Sequence, residues 1–342
     1  MLNVTTVGID LAKNVFSLHA VDGQGAAVLR KTVTRARLPA LVAQLPPSLI
    51  GLEACSGAHE WARRFMQLGH TVKLMAPKFV APYRKGGKND GADAEAICEA
   101  VSRPNMRLVP IKSAEQQGLL VLHRVRQGLT AERTGAINQL RGLLAEFGIV
   151  ISKGRYRLRA HIGAVLEDAE NGIPGLARRA FADLADRIGE LDQRILSYDR
   201  ELEQLARQSD AAKRLLQIPG IGPISATALV ASVADAAQFK NGRQFAAWLG
   251  LVPRQYTTGG RVRLGRITKR GDVYLRTLLI HGTRAVLSST KERSDRLSRW
   301  AEAVRARRGT RRAAVALAAK NARIAWVLLA RGEDYQPRRA AG

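Results

Sequence analysis

Residues 4–33 read VTTVGIDLAKNVFSLHAVDGQGAAVLRKTV, and the punctuation of this stretch decides the fold of the first third of the chain. Val4 to Asp10 is a short, mostly apolar and β-branched run closed by an acid, the composition of a strand. Asn14 to Val21 predicts a second strand. Asp22-Gly23-Gln24-Gly25 supplies turn residues, and Val28 to Val33 reads as the returning third strand. Three strands joined by such short connections make an antiparallel meander.

Outward from there, and after a helical stretch, Leu49 to Glu53 predicts a fourth strand, His59 to Leu68 a helix stopped at Gly69, and Thr71 to Met75 a fifth strand. Three meander strands followed by strand, helix and strand is the order of a ribonuclease-H-like fold, expected over residues 1–112. In that fold the ends of the first and fourth strands lie side by side, so Asp10 and Glu53 converge. Asp90 and Asp93, at i and i+3, share one face of a helical turn. Carboxylate oxygens in such a set suit magnesium, which keeps waters and phosphate oxygens in its remaining positions. Two such ions, about 3.5–4 Å apart, stabilise both oxygens of an in-line phosphodiester displacement. Each acid also has a plainer reading. Asp90 or Asp93 caps its helix, and Glu53 is a solvated strand end. Asp10 is harder to dismiss, because an acid closing a buried strand costs desolvation unless used or paired.

From about Ser113 the pattern changes to long helices. Leu184, Ile188, Leu191, Ile195, Tyr198, Leu202 and Leu205 alternate spacings of four and three, a heptad seam that predicts a coiled-coil arm over 113–212. A helix over Ala114 to Phe147, with Leu122, Val125, Leu129, Ala136, Leu140, Leu143 and Phe147 on one face, pairs with it as a hairpin through a basic, glycine-containing tip at 148–175. The seam fits an intramolecular bundle and a dimer contact equally. Residues 213–342 open with LLQIPGIGPISATALVASV, where Pro219-Gly220-Ile221-Gly222-Pro223 reads as a helix-hairpin-helix-like segment. Gly220 and Gly222 there bring backbone N–H groups to a phosphate; the alternative is a tight turn between packed helices. A basic loop follows from Arg254 to Arg270, then helices near Val273 to Ser289 and Thr310 to Leu329. Trp248 and Trp326 sit on apolar faces and are expected in the core.

The charge balance points to a polyanion: 55 Lys and Arg against 29 Asp and Glu, a net +26. From Lys240 to Gly342 there are 24 basic and 6 acidic residues, a local +18. Arg254, Arg261, Arg263, Arg266, Lys269 and Arg270 are the expected phosphate contacts, giving steep salt dependence. Cys55 and Cys98, without paired spacing or His partners, argue against a zinc site and a disulfide framework. No run of 18 apolar residues and no signal-peptide pattern is present, so a cytoplasmic protein with no membrane role is expected.

GIDLAK around Asp10, LEACSGAHEWAR around Glu53, KNDGADAEAI around Asp90 and Asp93, IPGIGPISATAL, and QFAAWLGLVPRQYTTGGRVRLGRITKRGDVYLRTLLIHGTRAV together resemble the DEDD-type transposases of insertion-sequence family 110, in its 1111 subgroup. The resemblance runs over nearly the whole chain. It implies an N-terminal domain similar to Holliday-junction resolvases, a coiled-coil arm and a C-terminal transposase domain in a bacterial, nucleoid-associated enzyme. Asp10, Glu53, Asp90 and Asp93 would then be catalytic ligands of Mg2+, two ions per site. It further implies recombination between element ends and target DNA, guided by a non-coding RNA, in a homo-oligomer, dimer or tetramer. A C-terminal serine is the family's nucleophile, and its motif falls on Tyr256-Thr257-Thr258-Gly259-Gly260, so Thr257 or Thr258 must serve. Ser225, Ser288 and Ser289 are further hydroxyls without motif support. Two other classes remain: a structure-specific endonuclease using metal-activated water, and a non-catalytic nucleic-acid-binding protein.

Overall fold

The computed structural model describes residues 3–85, 87, 89–289 and 295–336. The chain separates into two compact units, 1–117 and 118–342. In the first, β1 (Thr6–Leu11), β2 (Val15–Val21) and β3 (Ala27–Thr34) form the expected meander. Helix α1 (Leu38–Ala43) leads to β4 (Leu49–Glu53), and α2 (Ala58–Gln67) connects β4 to β5 (Thr71–Met75). The sheet order is β3-β2-β1-β4-β5-β6, with β1, β4 and β5 parallel. This mixed sheet is consistent with a ribonuclease-H-like fold. The short sixth strand, β6 (Leu108–Val109), was not expected; two residues antiparallel to Leu74 and Met75 leave too little pattern to read. Val7, Ile9 and Phe16 face α1 and α2, where Trp61 and Phe65 complete a core. After the short α3 (Pro77–Val80), α4 (Asp90–Val101) covers the opposite face through Ala96, Ile97, Ala100 and Val101.

The second unit is mostly helical. Helix α5 (Ala114–Ala145), which starts at the end of the first unit, and α7 (Gly175–Gln208) run antiparallel, with Arg133 paired to Asp192 at 2.6 Å and Arg126 to Asp199. Leu129 packs on Leu191 and Ile195 between these ion pairs. On α7 the seam positions Ile188, Leu191, Ile195 and Leu202 are buried. On α5 the buried residues are His123, Leu129, Ile137, Leu140 and Leu144, whereas Val125, Leu143 and Phe147 lie exposed, so the buried stripe is rotated from the expected one. The 148–175 tip is more than a connection. It contains α6 (Arg155–Glu167), whose Leu158 joins the core around Phe181.

Beyond α7, α8 (Asp210–Leu216), α9 (Pro223–Ser232), α10 (Gly242–Trp248), α11 (Val273–Ser288), α12 (Arg296–Arg308) and α13 (Thr310–Arg331) enclose two helical cores. Helix α13 is long and apolar enough by composition to cross a membrane, but Leu317, Ala318, Ala322, Ala325 and Leu328 are buried in those cores. Trp248 departs from expectation: it stacks on Phe245 yet stays 38% exposed. Trp326 is half-buried and donates its indole N–H to the Ala236 carbonyl at 3.0 Å. The expected basic loop is instead a hairpin, β7 (Pro253–Thr258) and β8 (Arg261–Ile267), exposed along almost its whole length. Gly259 and Gly260, at φ 54° and 75°, form its two-residue turn, a conformation that disfavours any side chain.

Candidate active site

Alternate residues of a strand face opposite sides of the sheet. Gly8 and Asp10 on β1 therefore share the face covered by α4, as do Gly51 and Glu53 on β4. The glycines let the helix sit against the strands. A Cβ on Gly51 would lie 2.8 Å from Val101 Cβ, and one on Gly8 would collide with the backbone of Ala94 and Cys98. Because Ile9 pairs with Leu52 in parallel register, Asp10 and Glu53 stand side by side where the strands end. Along α4, Cys98 and Ala94 lie over Gly8 while Val101 and Ile97 lie over Gly51. One turn earlier on the same two rows are Asp90 and Asp93. All four acids thus belong to one end and one face of the sheet.

Capping does not account for the two helical acids, because Asn89 caps α4, accepting from the Ala92 N–H at 2.8 Å. Asp90 is exposed, and the other three are partly buried. Asp93 accepts from Arg84 Nη1 at 3.0 Å. Burial pushes the Cys55 thiol up, and the carboxylates of Asp10 and then Glu53 push it further, so both negative charges act at one place. Among the described residues no three His, Cys, Asp or Glu side chains are gathered closely enough to form a metal cage. Asp10 and Glu53 as an open pair of hard oxygen donors suit a divalent cation that retains its waters, the habit of magnesium. Asp93 is engaged through Oδ1 by Arg84.

In the second unit, register pairs Tyr256 with Arg263 and Thr258 with Arg261, and these four share one face of the hairpin with Arg254. Gln255, Thr257, Val262 and Leu264 take the other. Gln255 Nε2 donates to Thr257 Oγ1 at 3.0 Å. The two threonines are thereby distinguished: Thr258 lies among arginines, Thr257 beside apolar side chains. Arg266, Lys269 and Arg270 continue the basic run toward α11, Lys269 with a positive φ of 55°. The buried Arg276 fixes the root of the hairpin, donating to the carbonyls of Leu249 at 3.2 Å and Gly271 at 3.1 Å.

Gly220 adopts φ 88° and abuts Gly282 of α11, while Asn321 Nδ2 donates to the Pro219 carbonyl at 2.7 Å. Gly220 is thus wedged against neighbouring helices, and Gly222 stands exposed at the start of α9. Ser225 is buried, and the hydroxyls of Ser288 and Ser289 are spent on carbonyls of their own helix. Sequence reasoning passed over Arg84 and Arg276, which carry no motif. It also passed over the arginine run RARRGTRR at 305–312, whose signal was plain.

Residues 7–149 match the DEDD-type transposase model of insertion-sequence family 110, and residues 212–299 match the Transposase IS116/IS110/IS902 family. A probable family 20 transposase of Pseudomonas aeruginosa is 50% identical over 98% of this chain and 100% of its own length. The transposase for insertion sequence element IS1328 of Yersinia enterocolitica is 42% identical, over 98% of this chain and 99% of its own. That for IS1111A of Coxiella burnetii is 41% identical, over 98% and 92% respectively. With full-length relatives at this identity and both family models matched in order, the chain belongs to the IS116/IS110/IS902 family of insertion-sequence transposases.

Proposed function

We propose that the protein breaks and rejoins DNA strands at the ends of its element and at a target, with Asp10, Glu53, Asp90 and Asp93 holding magnesium, two ions per site. The observation that carries this is the common placement of the four acids: two on adjacent strand ends, two on the first turn of the helix over the same face. Bound there, magnesium would supply charge stabilisation to phosphate oxygens. Asp10 and Glu53 anchor it from rigid strands. Arg84 holds Asp93 until the site is loaded.

Thr258 is the attacking hydroxyl in this reading, supported by its place among Arg254, Arg261 and Arg263, which would grip the phosphate it attacks. A bond forms from Oγ to phosphorus as one phosphorus–oxygen bond of the strand breaks. The hydroxyl proton passes to solvent and the leaving oxygen takes one up; a hydroxyl of the partner strand reverses the exchange. Residues 113–212 act as an arm between the catalytic domain and the basic domain of 213–342, and the working form is a homo-oligomer on the nucleoid. A non-coding RNA supplies target choice, supported by the excess of arginine over aromatic side chains, which suits backbone binding better than base reading.

Trapping of protein-linked DNA tests the nucleophile. Thr258→Ala abolishes the adduct while Thr257→Ala keeps it; an adduct that survives both changes together overturns the assignment. Cleavage by the double variant Asp10→Asn, Glu53→Gln at the wild-type rate overturns the metal site.

A further inference from the structure

The C-terminal half of α11, the end of α12 and the start of α13 surround a cavity of about 520 Å³, lined by His281, Arg284, Ser288, Arg305 and Thr310 over a floor of Ala285 and Leu287. His281, Arg284, Ala285 and Ser288 fall at i, i+3, i+4 and i+7, one face of α11. Arg305 is held in place by its neighbours: Nη1 donates to the Leu287 carbonyl at 2.9 Å and Nη2 to Glu302 at 2.7 Å. Arg284 is exposed and, among the described residues, has no carboxylate partner.

Part of this charge has an ordinary structural reason. Arg305, Arg307 and Arg308 occupy the last turn of α12, where cations oppose the negative end of the helix dipole. Arg311 and Arg312 have the opposite placement. They stand in the first turn of α13, beside the positive end of a 22-residue helix that has no acid in that turn and no side-chain cap at Gly309. Two arginines there repel the helix end and each other, and they directly follow Thr310, which lines the cavity with Arg284 and Arg305. An anion at this helix end relieves that repulsion and gives Arg284 a partner of opposite charge. The cluster continues as a track along the α12–α13 junction, which suits a chain of phosphates better than a single small anion.

We propose that this cavity is a second binding site for a phosphodiester backbone, additional to the hairpin, lined by Arg284 and Arg305 and continued by Arg311 and Arg312 and the free amides of the α13 N-terminus next to Thr310. The inference rests on the reading of the chain as a nucleic-acid enzyme. DNA and RNA share the chemistry recognised, and the experiment separates them.

The test is equilibrium binding of the full-length protein to a labelled DNA duplex and, in parallel, to a labelled structured RNA across a salt series. The triple variant Arg284→Gln, Arg311→Gln, Arg312→Gln changes only exposed side chains and should melt as wild type does. Its slope of log affinity against log salt should fall by about 2–3, since each lost phosphate contact on duplex removes about 0.9. A fall on duplex alone assigns the site to DNA, on RNA alone to RNA, and on both to either backbone. A charge-matched control, Arg159→Gln, Arg179→Gln, Arg243→Gln, sets the effect of net charge; a cavity variant no different from it on both nucleic acids overturns the proposal. A hairpin variant, Arg261→Gln with Arg263→Gln, keeps the two readings apart. If it loses affinity while the cavity variant does not, only the second site falls; if both bind as wild type, the nucleic-acid reading falls with it.

Discussion

At Gly8 and Gly51 a single added methyl group would drive α4 off the sheet, because the helix backbone and Val101 occupy the space a side chain would need. Gly8→Ala is therefore expected to destabilise the N-terminal unit by about 2–3 kcal/mol, the usual cost of overpacking, read as a lower denaturant midpoint. It should also abolish strand cleavage, since the rows that carry Asp90 and Asp93 shift with the helix. Arg84 makes a second expectation at this scale. Arg84→Gln releases Asp93 and should tighten magnesium binding measured by calorimetry; weaker binding would assign Arg84 a supporting role instead. Asp10 and Glu53 were legible in the sequence because each closes an apolar run whose strand identity is unambiguous. Arg84 was not: it reaches Asp93 only through the turn at 81–83, a tertiary fact with no local pattern.

Among the elements, α5 shows how packing overrides a plausible stripe. Leu122, Val125 and Leu129 look like one face in sequence, but Leu129 packs on α7 beside Arg126 and Arg133, whose aspartate partners lie on that helix, while Val125 is exposed. His123 sits on this side, 1% exposed, with Nδ1 3.0 Å from the Tyr274 hydroxyl. Burial, helped by Arg126 and Arg124, lowers its pKa to about 4. The unfolded chain takes up a proton near the ordinary histidine value while the folded one stays neutral. Stability from this group is therefore full above about pH 6.5 and declines as pH falls toward about 4, by about 2 kcal/mol at pH 5. Melting of wild type should drop over that interval, and His123→Gln should drop less steeply from a lower starting point. The hairpin, in turn, escaped the sequence because both its faces are exposed, so no alternation of buried and polar residues marks it as strand. Replacing Gly259 and Gly260 by alanine strains the turn, and the expected result is weaker nucleic-acid binding with an unchanged melting temperature.

On the scale of the whole molecule, the net charge of +26 means that affinity for any nucleic acid should fall steeply with salt, and binding isotherms at several ionic strengths check this directly. The order of the first five strands and the basic bias of the last third were both visible in the sequence, because composition and periodicity are local. The cavity at the α12–α13 junction was not, since His281 and Arg284 meet Arg305 only after α11 and α12 have packed. If the proposed function holds, the division of the acids and the hairpin between the two compact units has a genetic consequence. Asp10 and Glu53 reside in one and the arginine-rich hairpin in the other, and neither acid is part of the hydrophobic cores of its unit. A copy of the gene that has lost either acid would still yield a protein able to occupy the same DNA, and would act as a dominant inhibitor of intact copies in the same cell.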